Sequence, residues 1–445
     1  MTDDNTNAAT PQKTLRMADL FCGAGGTSEG ALQAFRAMGY SVELTAVNPW
    51  DIACATHGQN HPDARTLCTS VDALEPSRLF PDGLDLLWAS PSCTHHSNAL
   101  GGRPCEEQSR ATGWCVARWA ESRKPPVILV ENVREFQNWG PLGTNGRPIK
   151  SKQGATFRAW VQALRSFGYR VEWRVLCAAD YGDPTSRERL IVQAVRGKRR
   201  IVWPDPTHAP AHAADMFARL PWRPASDIID WTLPMRSIYE RKKPLAANTL
   251  RRIEAGLRKY GSPVLIAMEH GGRPLPIDSP LPTVTCAKGG AFALAYLLPQ
   301  QSGGQLRPVT DPVPTVSTAG AISLIVEYYG NGGARLISEP LPTVTCTDRF
   351  ALIHAAGGDV LMRMLKPHEL AAAQGFPRGY KFAGNQTEQT KQIGNAVPPG
   401  LARAIVAAVW SQKNDVSEIL APFFVREVAA GAPPSRYYRA TRWSA

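Results

Sequence analysis

The segment Ser92-Cys93-Thr94-His95-His96 carries the side chain best suited to covalent chemistry, a cysteine in a polar loop. A thiolate is a strong nucleophile. This one follows an apolar run at 84–89, just past the carboxyl end of a strand, where reactive groups collect in open α/β sheets. A single cysteine is more often an inert apolar filler, so its neighbours in the fold decide the matter. Two adjacent histidines seldom point the same way, which makes His95 and His96 surface or substrate contacts rather than metal ligands. A second apolar run, 126–130, ends abruptly in Glu131-Asn132-Val133. Its unbroken apolar character puts it in the middle of a sheet, with Glu131 at the same rim as Cys93. There the carboxyl group either works as a general acid or merely caps the next helix. Thr185-Ser186-Arg187-Glu188-Arg189 opens a third run, 189–195. Residues two apart on a strand share a face, so Arg187 and Arg189 either support negative charge at that rim or form a solvated basic edge.

Two more clusters concern binding. In Asp19-Leu20-Phe21-Cys22-Gly23-Ala24-Gly25-Gly26 a strand runs into a glycine-rich turn and a helix. Glycines there let a ligand approach the backbone, and the helix N-terminus favours a carboxylate or phosphate, although a tight structural turn explains many such runs. The order G-x-G-G differs from the G-x-G-x-x-G dinucleotide fingerprint, which makes a nicotinamide enzyme the lesser reading. Gln392-Ile393-Gly394-Asn395-Ala396-Val397-Pro398-Pro399 is a turn leading into the last long helix.

These groups need a scaffold, and the chain supplies one. Strands are predicted at 15–21, 42–47, 84–89, 126–130, 170–176 and 189–195, with helical stretches such as 28–38 between the early ones. Alternation of this kind implies parallel βαβ units in a doubly wound sheet. Only a loop joins 170–176 to 189–195, so that pair forms an antiparallel edge. After Trp203-Pro204-Asp205-Pro206 the alternation stops, and proline, glycine and threonine become frequent. Pro282-Thr283-Val284, Pro314-Thr315-Val316 and Pro342-Thr343-Val344 repeat one phrase there, read as β-hairpin modules of a smaller lobe. The expected organisation is a disordered leader at 1–14, a catalytic and cofactor-binding domain at 15–204, a mainly β lobe at 205–361, a return to the first domain at 362–412, and an accessory tail at 413–445. Fifty Lys+Arg against thirty-eight Asp+Glu leave a net charge of +12, which favours a polyanionic partner such as nucleic acid. A run of about 18 apolar residues is lacking, so a membrane span is not expected. The polar, acidic start is not a secretory signal. Nine scattered cysteines without a C-x-x-C pair speak against a disulfide framework or a zinc knuckle and for a reducing, cytoplasmic setting.

Taken in this order, the five clusters resemble the DNA (cytosine-5) methyltransferase family over roughly residues 14–410. Arg363-Met364-Leu365-Lys366-Pro367 and Gln374-Gly375-Phe376-Pro377 extend the likeness. The resemblance implies an α/β, doubly wound S-adenosylmethionine-dependent methyltransferase sheet, mostly parallel with an antiparallel edge strand, and a target-recognition domain at 205–361. It implies that Phe21 packs on the cofactor's adenine, that Gly23, Gly25 and Gly26 admit its methionine end, and that Asp19 belongs to the same cofactor set. Asp72 would contact the adenine amino group, while Asn395 and Val397 close the pocket. It further implies that Cys93 adds to carbon 6 of a flipped-out cytosine in double-stranded DNA, assisted by Glu131, Arg187 and Arg189, with no metal. The protein is expected to be a monomer, of restriction–modification or solitary type. RNA cytosine-5 methylation and a catalytically silent DNA-binding relative are the alternative readings.

Three departures from the family pattern stand out. Ser92-Cys93-Thr94 replaces Pro-Cys-Gln, with Pro91 displaced by one, and Thr185 stands where Gln is usual. Asn48-Pro49-Trp50 has Pro49 where a ribose-binding Glu is usual. Proline has no acceptor oxygen on its side chain and no backbone N–H. A 2′-deoxy analogue of S-adenosylmethionine should therefore lose less affinity here than in a Glu-bearing relative, and Pro49→Glu should enlarge the loss. Calorimetric titration of both compounds checks this. A wild-type loss as large as the relative's would show that another group holds the ribose.

Overall fold

The structure is a computed structural model. It describes residues 14–92, 111–214, 219–238, 240, 242, 244–245, 250, 265–267, 322–327, 333–336, 340–341, 350–356 and 359–424. Seven strands form the main sheet: β1 (Thr14–Leu20), β2 (Ser41–Asn48), β3 (Arg65–Cys68), β4 (Leu86–Ala89), β5 (Val127–Asn132), β6 (Arg170–Cys177) and β7 (Glu188–Val195). Their order is β3-β2-β1-β4-β5-β7-β6. The first five are parallel, and β7 runs antiparallel to both β5 and β6. The reversed strand is thus not the outermost one. β7, buried at every position after Glu188, lies inside, whereas β6 exposes Arg170, Glu172 and Arg174 and can face water at the edge.

Helices cover both faces. On one side lie α1 (Gly26–Ala37) and the last long helix; α2 (Asp51–Asn60) follows β2. On the other are α3 (Trp114–Arg123) and α4 (Ala155–Ser166), the second burying Phe157, Trp160, Val161 and Leu164 along one stripe. Met17, Leu86 and Leu129 enter the first core, and Ala18, Leu87 and Ile128 the second, following the alternation of a strand.

After the second lobe the chain returns through α5 (Pro367–Ala373), α6 (Gln386–Asn395) and α7 (Pro399–Ser411). Every residue of α7 from Pro399 to Trp410 is buried; all are apolar or glycine except Arg403, which donates to Gln33 Oε1 (2.6 Å). The helix packs on α1 at a glycine face. A Cβ at Gly26 would overlap the Val397 carbonyl oxygen, and one at Gly30 the Pro399 carbonyl oxygen. Asp183, from the β6–β7 connection, accepts the N–H groups of Gly400 (3.0 Å) and Leu401 (2.8 Å), so a buried carboxylate caps α7. Burial pushes its pKa up to about 7.

A second sheet has the order Arg236–Ser237, Asp359–Met364, Phe350–Ala356, Ile322–Glu327, Leu265–Ala267, Gly333–Leu336. Its root is tied to the first lobe twice. Ser186 N–H donates to Leu341 O (2.9 Å) and Leu341 N–H to Pro184 O (2.8 Å). Arg363 grips Glu369 through two nitrogens at 2.7 Å and also donates to Asp230 O (2.6 Å). Leu341 directly precedes the third Pro-Thr-Val phrase; all three phrases, at 282–284, 314–316 and 342–344, lie outside the described residues.

The glycine face gives a direct test. Gly30→Ala should destabilise the fold by about 1–3 kcal/mol through overpacking against backbone that cannot yield. Gly58→Ala, in α2 with room for a Cβ, should be neutral or stabilising by about 0.5–1 kcal/mol. Urea unfolding of the two variants checks the difference.

Candidate active site

The rim at the carboxyl ends of β4 and β5 holds the groups suited to chemistry. Because β7 is reversed, its start lies at this rim, with Asn132 opposite Leu190 and Glu131 opposite Ile191. Arg189 Nε stands 3.0 Å from Glu131 Oε1, and both side chains are more than nine-tenths buried. Arg189 also donates to Glu188 O (2.7 Å). Arg187 is buried just before the strand, and its carbonyl accepts Ala178 N–H (2.9 Å). Asn132 Nδ2 donates to Pro91 O (3.0 Å) and its Oδ1 accepts Val133 N–H (2.9 Å). The Glu-Asn-Val turn therefore braces the chain two residues before Cys93. Cys93 itself lies outside the described residues, which on this segment end at Ser92.

The glycine-rich turn leaves β1 at the same side of the sheet. Phe21, half-buried, has φ +60°, a left-handed conformation that non-glycine residues seldom adopt, and Gly23 and Gly25 follow at +54° and +92°. Backbone bonds from Cys22 N–H to Val47 O (3.1 Å) and from Gly25 N–H to Cys22 O (2.9 Å) fix the turn. Asp19 lies beneath it, fully buried, its pKa pushed up to about 7 by burial. Ser28 Oγ donates to Asp19 Oδ2 (2.6 Å), so it accepts from His57 Nε2 (3.0 Å), leaving His57 Nδ1 to accept from Thr66 Oγ1 (2.7 Å). Tyr380 donates to Ala24 O (2.6 Å) and accepts from His61 Nε2 (3.1 Å). The C-terminal return thus holds the turn from outside while Asp19 and His57 hold it from below.

Beside the turn, Asp72 follows β3 with an exposed carboxylate, and Cys115 donates to its Oδ1 (2.9 Å). Asn48 Oδ1 accepts Trp50 N–H (2.9 Å), so part of this amide oxygen's accepting capacity is already used within the loop. Pro49 is exposed, and Lys391 stands 4.5 Å from the Trp50 ring centroid. Val397 is buried with its carbonyl against Gly26, and Asn395 ends α6 at the surface. A Cβ at Gly23 would meet open space, and Asp19 Oδ1 is buried with no hydrogen-bond partner. The open backbone, the exposed carboxylate and the unsatisfied oxygen fit a nucleoside bearing a cationic amino-acid arm.

Residues 15–221 and 305–411 match the C-5 cytosine-specific DNA methylase family. The chain belongs to that family. It is a DNA (cytosine-5-)-methyltransferase, transferring a methyl group from S-adenosylmethionine to carbon 5 of cytosine in DNA. Among similar proteins is the type II methyltransferase M.AgeI of Thalassovita gelatinovora, 26% identical over 89% of this chain and 99% of its own. Another is DNA (cytosine-5)-methyltransferase 1B of rice, 25% identical over 90% of this chain but only 28% of its own length. A solved Escherichia coli prophage DNA modification methyltransferase has TM-score 0.49 and 18% identity, covering 89% of this chain and 99% of that one. The family match leaves out 222–304, within the second lobe. Among the described residues no helix is long and apolar enough to cross a membrane, and no three His, Cys, Asp or Glu side chains converge as a metal site would require.

Sequence reasoning singled out the glycine-rich turn, Glu131 and the arginines, but not Asp183, Cys115 or the His57–His61–Tyr380 group. His57 and His61 are only four residues apart, at one end of α2, but their partners Ser28 and Tyr380, like those of Asp183 and Cys115, lie far away in sequence. His57 offers a test. Burial, with His61 adding to it, pushes its pKa down to about 3 from an ordinary 6.5. The unfolded chain therefore binds a proton between pH 6.5 and 3 that the native state refuses, and stability falls on acidification through this window. Asp19 and Asp183, with raised values, act in the opposite direction. His57→Gln should therefore lose less stability than wild type between pH 7 and pH 5, measured by urea unfolding at each pH.

Proposed function

We propose that this enzyme works through a covalent adduct of Cys93 with carbon 6 of a cytosine flipped out of double-stranded DNA. The observation that carries this reading is the buried Glu131–Arg189 pair at the rim where β4 delivers Pro91 and Ser92. Carbon 5 of cytosine is a weak nucleophile until a group adds at carbon 6. The Cys93 thiolate forms the S–C6 bond, and the displaced electron pair develops at carbon 5. Glu131 hydrogen-bonds N3 and the exocyclic amine, stabilising the charge that addition creates. Arg189 orients that carboxyl group, and Arg187, nearby, faces the pyrimidine carbonyl and favours the thiolate. S-adenosylmethionine, when bound, supplies an electrophilic methyl on its sulfonium. Loss of the carbon 5 proton to a base or water then lets the S–C6 bond break and releases Cys93. A stacked duplex hides carbon 5, which is why flipping is required.

In the cofactor site, Phe21 packs on the adenine, Gly23, Gly25 and Gly26 give room to the methionine arm, and Asp72 receives the adenine amine. Asp19 braces this turn through Ser28, and Val397 and Asn395 close it from the C-terminal side. The second lobe is the target-recognition domain. Arg236 and Lys242 on it are exposed; Arg241, Lys243, Arg251 and Arg252 lie outside the described residues. Phosphate contacts from such groups make DNA affinity fall steeply with salt.

The reading is tested by methyl transfer to duplex DNA and to transfer RNA, with 5-methylcytosine mapped by sequencing. DNA should be methylated and transfer RNA not. Cys93→Ser should bind DNA and cofactor without turnover, and Glu131→Gln should lose about 10²-fold or more in kcat. Turnover by Cys93→Ser within about tenfold of wild type would overturn the mechanism, and exclusive methylation of RNA would overturn the substrate.

A further inference from the structure

Helix α3 presents Cys115 and Arg118, three residues apart, on one face toward the turn that carries Asp72. The Cys115 thiol donates to Asp72 Oδ1 at 2.9 Å. Arg118 reaches the backbone of the same turn, NH2 to Val71 O at 2.7 Å and NH1 to Asp72 O at 3.3 Å. Cys115 is buried, and burial together with the Asp72 carboxylate pushes its thiol up to about 12, so it stays a protonated donor at neutral pH. Asp72 is exposed. One carboxylate oxygen is therefore tied down and the backbone beneath it is clamped, which leaves the second oxygen aimed in a fixed direction.

We propose that Cys115 is a positioning residue for adenine recognition, holding Asp72 so that its remaining oxygen accepts the cofactor's exocyclic amine. This rests on the assignment of Asp72 to the adenine end. A carboxylate free to rotate accepts hydrogen bonds from many directions; one restrained by a thiol on Oδ1 and by Arg118 on its backbone favours a donor at a single place. Cys115 thus acts on which base is accepted, without touching it.

The test compares binding of S-adenosylmethionine with that of its analogue lacking the 6-amino group, by calorimetric titration of the full-length protein. Wild type should prefer the natural compound. Cys115→Ala should bind S-adenosylmethionine about three- to tenfold more weakly and lose most of its preference over the analogue. Cys115→Ser, whose hydroxyl restores the donor, should recover both. Asp72→Ala should abolish the preference, and adding Cys115→Ala to it should change nothing further. A preference unchanged in Cys115→Ala but abolished in Asp72→Ala overturns the role of Cys115 alone. An unchanged preference in Asp72→Ala overturns the assignment of Asp72 itself. Equal weakening of both compounds in Cys115→Ala, with a lowered melting temperature and no rescue by Ser, would show a purely structural contact and also overturn the inference. Should Cys115→Ala fail to fold, Cys115→Val, which keeps the bulk and removes the donor, takes its place.

Discussion

A carboxylate removed from water is destabilising unless a partner offsets its lost hydration, and Glu131 has that partner in Arg189, 3.0 Å away. The pair exists only because β7 enters the sheet in reverse. A parallel strand beside β5 would bring its carboxyl end to this rim and leave its start at the far side. The reversed one starts here, so the Arg-x-Arg segment that opens it reaches the end of β5. Removing either partner would leave the other buried and uncompensated, a change of several kcal/mol. The adjoining Asn132–Pro91 bond then carries the order of β5 into the loop of β4. Sheet topology, ion pair and loop support are consecutive links of one chain of causes.

The glycine-rich turn depends on a different constraint, close packing between the first helix and the last. Gly26 and Gly30 let the backbone at Val397 and Pro399 approach α1 as no larger residue would. Asp183 compensates the N-terminal N–H groups of α7, which are buried and would otherwise lack acceptors. The C-terminal return thus lies directly against α1 and the glycine-rich turn. Asp183 also lies only four residues before Arg187, so the connection that caps the last helix leads straight into the rim that holds the Glu131–Arg189 pair. Leu341, from the second lobe, bonds to the same connection at Pro184 and Ser186.

Much of this was legible in the sequence where local pattern and tertiary role coincide. The unbroken apolar run of β5 announced a central strand, the abrupt Glu131 a rim position, and the glycine-rich run a tight turn from strand to helix. β3 was missed because Arg-Thr-Leu-Cys is too short and too polar to show a period. The Gln392–Asn395 stretch read as a turn because Gly394 and the prolines that follow punctuate it, yet it completes α6, whose capping box at Asn385 and Glu388 lies further upstream. Strand spacing puts Arg187 and Arg189 on one face at the rim, and Arg189 is found paired with Glu131. Its commitment to Glu131 depends on register, which spacing within one strand does not contain. Asp183 was invisible for the same reason, since its partners lie 217 and 218 positions away.

The account centres on attack by Cys93 at carbon 6, assisted by the Glu131–Arg189 pair. The most direct measurement is mass spectrometry of the protein after incubation with S-adenosylmethionine and duplex DNA in which 5-fluorocytosine replaces cytosine. Fluorine at carbon 5 cannot leave as a proton does, so an enzyme that adds through sulfur is arrested after methyl transfer. The account predicts a complex that survives denaturation, with the modified nucleotide on the peptide containing Cys93 and no adduct in Cys93→Ser. Methyl transfer to ordinary DNA by a protein that forms no adduct with the fluorinated DNA, or an adduct on another cysteine, would contradict it.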